Sequence, residues 1–209
     1  MKPLSLIGLL AMALCGSAHA LVGPYNTGVN GAGMSLPDDA VDTHYLVGTQ
    51  AAVVATSTGG YPIGPWIGDD ATSAWVTTNA TTNDVYNATF TYSTNFDLTG
   101  IDLSTAQLGG RWASDDVMTG ARLNGQAVTF ASGGLAAGFT SWTAFGITSG
   151  FAAGMNTLEV DVLNSGGGPT GVRIDFGASS FTPSVPEPET LLLGLCGLAT
   201  VAVMRRKKA

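Results

Sequence analysis

Residues 158–162 read Leu-Glu-Val-Asp-Val, and residues 172–176 read Val-Arg-Ile-Asp-Phe. An apolar residue at every second place puts one face of an extended chain against a core and the other toward water. Tyr86, Ala88, Phe90 and Tyr92 repeat the pattern against Asn87, Thr89 and Thr91. Further extended runs are expected over Ala74–Thr78, Leu108–Trp112, Val117–Leu123, Gln126–Phe130 and Trp142–Thr148. Asn124-Gly125 separates two of these runs. Both residues accept the positive φ of a type I′ turn, so a tight hairpin is expected there. Gly59–Trp66 contains two prolines and three glycines, which forbid regular pairing. Gly133–Gly138 reads as loop, and Gly166–Pro169 as a break. Leu21–Asp42, rich in Gly and Asn, is expected to wrap the outside of the domain. Short strands at close intervals predict an all-β fold, a single antiparallel β-sandwich of the jelly-roll kind over 21–181.

Both ends read as addresses. Lys2 precedes a short apolar run, Leu4–Cys15, and Ala18-His19-Ala20 has the small-x-small form of a signal-peptidase site. Cleavage is expected after Ala20, leaving 1–20 as a signal peptide. At the other end Pro186-Glu187-Pro188 precedes an uncharged apolar stretch, Leu191–Met204, and then Arg205, Arg206, Lys207 and Lys208. As a helix this stretch spans about 21 Å at 1.5 Å per residue. A bilayer core is about 30 Å thick. The predicted transmembrane helix is therefore short, and the basic tail at 205–209 closes part of the gap by snorkelling. The same cations act as a membrane stop and keep the C-terminus cytoplasmic. The domain then lies outside the inner membrane, joined to it by the stiff Pro-Glu-Pro linker at 182–190.

This three-part tail resembles the PEP-CTERM sorting signal of Gram-negative bacteria. The resemblance implies processing by an exosortase at or near Pro186-Glu187-Pro188. The protein would then be exported: a transient inner-membrane anchor, the domain in the periplasm, and afterwards the cell surface or the extracellular matrix. It also implies association with exopolysaccharide or a biofilm matrix. The second half of the domain has a further rhythm. Leu108–Trp112 leads to Asp115-Asp116, then Leu123-Asn124-Gly125, then Gly154-Met155-Asn156-Thr157-Leu158. Over Tyr86–Phe176 this is similar to galactose-binding-like sandwich modules.

Between the two addresses the chain has 13 acidic residues, the cations Arg111, Arg122 and Arg173, and no lysine. Phosphate contacts need Lys and Arg, so nucleic acid is excluded as a partner. Cys15 and Cys196 both lie in the targeting segments, which leaves the domain without thiol or disulfide chemistry. His44 is its one histidine and has no Cys or Gly-x-Ser-x-Gly elbow to work with, so no familiar hydrolase triad can assemble. No catalytic residue is assigned.

Two kinds of binding site are open. Asp115, Asp116 and Asn124 would hold a structural calcium if the Asn124-Gly125 turn lies beside the two acids, with Asp69-Asp70 as a second place. The competing reading is a solvated acidic turn. Trp66, Tyr61 and Trp142 sit in or near polar loops and would form a platform for glycan, or else plug one end of the sandwich. Three functions follow: a non-catalytic exported envelope protein, a cell-surface carbohydrate-binding module, and a glycoside-active enzyme, which nothing in the residues demands.

Overall fold

The computed structural model describes residues 23–56, 64, 66–79, 87–166 and 168–184. Both targeting segments, Tyr61 and Tyr86 fall outside them. Among the described residues no helix is long and apolar enough to cross a membrane.

Among the described residues eleven strands form one antiparallel sheet. They are β1 Val41–Val47, β2 Gln50–Val54, β3 Val76–Thr77, β4 Ala88–Asp97, β5 Leu108–Asp115 and β6 Val117–Leu123. The remainder are β7 Gln126–Ala127, β8 Ser132–Gly133, β9 Thr143–Ile147, β10 Met155–Asn164 and β11 Gly171–Asp175. Their order is β7-β6-β10-β4-β1-β2-β3-β11-β5-β9-β8. A sandwich was expected as two sheets. Here the hydrogen bonding runs on through β2 and β3, and the sheet folds over so that its two halves enclose one core. The β10–β4 pair is its longest ladder, ten residues from Met155↔Asp97 to Asn164↔Ala88.

Period two sorts the side chains as expected along β10. Leu158, Val160 and Val162 are buried, with Glu159 and Asp161 half-buried between them. They meet Tyr92, Phe96, Met118 and Leu123 from their own half, and Trp112, Phe145, Val172 and Ile174 from the other. Trp112 is fully buried, stacks on Phe145 at 3.9 Å and donates its indole N–H to the Gly134 carbonyl. At Asn124 and Gly125 φ is +53° and +76°, and the turn joins β6 to β7. Gly110 is required by close approach. A Cβ there would overlap the Asp175 carbonyl oxygen of β11.

Three strands went unread in the sequence: β1, β2 and the two-residue β8, which lies where a loop was expected. In β1 a carboxylate takes an inward place: Asp42 is fully buried and accepts hydrogen bonds from the Gly28 and His44 amides. The β1–β2 register then slips between Asp42 and Leu46, which spoils the alternation. Gln126–Phe130 was expected as a full return strand. Only Gln126–Ala127 pairs as β7.

Candidate functional site

The two halves differ on their outer faces. On β5 and β11 the outward rungs are Asp115 opposite Gly171, Ala113 opposite Arg173, and Arg111 opposite Asp175. Loops at 66–75 and 136–142 close over these rungs as a cap and make a second apolar cluster. Ala55, Trp66, Trp75 and Ala113 are buried in it, with Ile67, Phe139 and Trp142 packed against them. The loops hold each other through the Ile67 amide, which donates to the Phe139 carbonyl at 3.0 Å. Here the sequence-derived aromatic and acidic candidates gather.

Trp66 is not an exposed platform. It is 6 % exposed, packs against Trp75 with the rings tilted by 37° and their centroids 4.3 Å apart, and donates its indole N–H to Asp115 Oδ2 at 2.7 Å. It plugs the face, because an indole bonded at its nitrogen and packed against a second tryptophan has little left to offer a sugar. Trp142 is half-buried, with the Arg111 guanidinium 4.4 Å from its ring centroid and that of Arg173 at 4.7 Å. The expected trio is therefore not a shared surface. Trp66 is buried within the covering cluster, Trp142 has two guanidinium groups over its ring, and Tyr61 is outside the described residues.

Arg173 occupies an outward place on β11 yet is fully buried. It donates to the Gly68 carbonyl and to Ser73 Oγ at 3.0 Å, and it pairs with Asp70 at 2.7 Å and Asp69 at 4.0 Å. One guanidinium thus ties the 68–73 turn to the sheet. Burial pushes Asp69 up to about 6, although the Trp75 amide and Arg173 both favour its ionised form. Asp70 also feels desolvation, but the hydroxyl and amide of Thr72, Arg173 and the Ser73 amide outweigh it. They hold Asp70 down to about 2.

Asp115 and Asp116 sit where the chain leaves β5 for β6, the step from one half of the sheet to the other. Asp115 is 5 % exposed. Burial first, and the neighbouring Asp116 carboxyl second, push it up to about 7 against the Trp66 bond. Asp116 Oδ2 accepts from the Ser165 amide at 2.7 Å and its hydroxyl at 3.0 Å. Thr170 Oγ1 donates to the Asp115 carbonyl at 2.6 Å.

Asn124 does not join this pair. It lies at the far end of β6, more than about 20 Å away at 3.3 Å per strand residue. Its amide is committed there to Gly150 O, Asn156 Oδ1 and the Thr157 amide. The three-ligand calcium arrangement therefore fails on distance, because a strand separates the hairpin from the acids. Among the described residues no three His, Cys, Asp or Glu side chains come together as a metal group. Asp69 and Asp70 are engaged by Arg173 and by loop amides. His44 stacks on Tyr25 at 3.8 Å and points Nδ1 at Val29 O, 3.1 Å, and Asp42, 3.4 Å.

Sequence reasoning missed Arg173 and Arg111 as site residues. The available signal was an arginine at an outward place in a cation-poor domain, opposite a small residue on the next strand. The Pro186-Glu187-Pro188 motif, Ala18, Ala20 and Arg205–Lys208 lie outside the described residues. Comparison with known protein families, with curated proteins and with solved structures finds no match.

Proposed function

We propose that this chain is a non-catalytic exported protein of the cell envelope. A signal peptide cut after Ala20 takes it across the inner membrane. The short span Leu191–Met204 then holds it there with the domain on the periplasmic side. An exosortase cuts at or near Pro186-Glu187-Pro188, and the freed domain joins an exopolysaccharide or biofilm matrix. The observation that carries this reading is the order of the tail: a rigid acidic tripeptide, an apolar run too short to anchor firmly, then four cations.

The architecture agrees with such a role. An antiparallel fold with a large core between its halves and a second cluster on one outer face, read as a jelly-roll sandwich akin to galactose-binding-like modules, suits life outside the cytoplasm without disulfides. With Trp66 buried, a carbohydrate-binding role rests on weaker ground than a structural one. The test is the mass of the mature protein from strains with and without an exosortase. Loss of everything after the Pro186–Pro188 region, only where the enzyme is present, is expected. A mature form that keeps residues beyond Pro188 in both strains refutes the processing.

A further inference from the structure

We infer that residues 178–184 form a strap that must lift from the domain before the Pro186-Glu187-Pro188 motif can be cut, so that the fold itself sets the rate of processing. This inference rests on the processing proposed above and adds its control. The linker read from the sequence begins at Thr182. Residues 182–184 are instead bonded to the domain, along the 98–107 link between β4 and β5. The Gln107 and Ser180 amides each donate to the other residue's carbonyl, at 2.9 and 2.8 Å. The Asp102 amide donates to Thr182 O at 2.9 Å. The Ser184 amide and hydroxyl both donate to Gly100 O, at 2.8 and 3.0 Å. Ser179 Oγ accepts from the Gly109 amide at 3.1 Å and donates to the Gly109 carbonyl at 3.0 Å.

Phe181 is the apolar anchor of the strap. Its ring is half-buried against the core, with the Phe96 and Phe151 centroids at 6.4 and 6.5 Å. It also fills the space beside Gly23, where a Cβ would stand 2.7 Å from it.

The motif starts two residues after Ser184, a reach of at most about 7 Å, and Leu191 is seven residues after it, at most about 25 Å. An extended peptide is gripped through its own backbone N–H and C=O groups. With the Thr182 carbonyl and the Ser184 amide given to Asp102 and Gly100, an enzyme that grips the chain before the motif competes with the domain for the same groups. The strap is the weaker holder. Residues 182–184 are exposed, and their bonds lie within reach of water. A segment of this kind opens while the rest of the sheet stays folded. Cleavage then follows the open fraction, and the strap closes again on the finished domain.

The test uses the full chain in a strain with the exosortase, the ratio of precursor to mature protein being followed by pulse-chase. Gln107→Cys with Ser180→Cys locks the strap. A hydrogen-bonded antiparallel pair stands about 5.5 Å apart at Cα, within disulfide range, and the periplasm oxidises it. Processing of the locked chain should slow by about tenfold or more and recover when a reductant is added. Phe151→Ala withdraws the edge contact from Phe181 at a place remote from the motif. Such a contact is worth about three- to tenfold in the ratio of closed to open strap, and processing should quicken by that factor. Exchange of the Ser184 amide, measured on uncut protein from a strain without the exosortase, should quicken equally. If the disulfide does not form, Phe151→Ala decides alone; if Phe151→Ala does not fold, the locked chain does. A locked chain cut at the native rate overturns the strap's control. So does Phe151→Ala with faster Ser184 exchange but unchanged processing, or with slower processing, which would make the strap a presenter of the motif. No processing of either the native chain or Phe151→Ala refutes the processing itself, and the control falls with it.

Discussion

Arg173 is the residue whose removal should damage the cap most. Arg173→Met keeps length and much of the volume but removes every donor. Gly68 O and Ser73 Oγ then lose their buried partner, and Asp70 loses its ion pair. Breaking a buried pair from one side costs about 3–5 kcal/mol. Asp70 is 44 % exposed and Asp69 24 %, so water recovers part of that loss. About 3 kcal/mol is the resulting expectation, and in a domain of this size each kcal/mol moves Tm by about 2–4 °C. Tm should fall by about 6–12 °C.

The control is internal to the site. Arg111 also lies over the Trp142 ring and pairs with Asp175 at 2.9 Å, but it is 44 % exposed. Arg111→Met should cost no more than about 1 kcal/mol. Thermal unfolding followed by far-ultraviolet dichroism gives both numbers, and tryptophan emission shows whether the cap goes first. Equal Tm changes for the two variants would refute the idea that Arg173 anchors the 68–73 turn.

Gly110→Ala puts a methyl group into the Asp175 carbonyl of the neighbouring strand, and overpacking of this kind costs about 1–3 kcal/mol; chemical denaturation measures it, and faster amide exchange along β11 should accompany it. Stability should also depend on pH in a defined sense. Asp69 at about 6 and Asp115 at about 7 both lie above the unfolded value of roughly 3.9. Between those limits the folded state binds more protons, so stability falls as pH rises from 4 toward 7. Asp70, at about 2, contributes stability that is lost as pH drops below 4. Urea midpoints across pH 3–8 should therefore peak on the acid side of neutrality, and a maximum at pH 8 would contradict the burial of these two acids.

Much of the sheet was legible because its core strands obey one rule. β10 and β11 were read nearly to the residue, since their apolar residues alternate without interruption, and Val117–Leu123 matches β6 although a register shift against β10 breaks its alternation after Met118. The rule failed where a polar side chain takes an inward place, as at Asp42 in β1. It failed again where an outward face is itself covered. Arg173 and Asp115 look solvent-facing by period two, yet a second layer of tryptophans lies over them. Which loops cover which face is set by chain contacts 50 to 100 residues apart, such as Trp66 with Asp115 and Ser73 with Arg173, and no local pattern encodes those. Asn124 was misplaced for a related reason. Its turn is obvious, but which end of the sheet it occupies depends on the length of the strand before it.

The outermost strands, β7 and β8, are two residues each, and residues 128–131 run directly from one to the other. The Val128 amide still bonds to Ala121 and the Ala131 amide to Gly146, so this link occupies both margins at once. What stays open on β6 is its first four residues, Val117–Gly120, a short length on which a second molecule could add a strand. A sheet margined in this way resists templated fibril growth, even though nearly all of the regular structure among the described residues is of the kind that fibrils exploit.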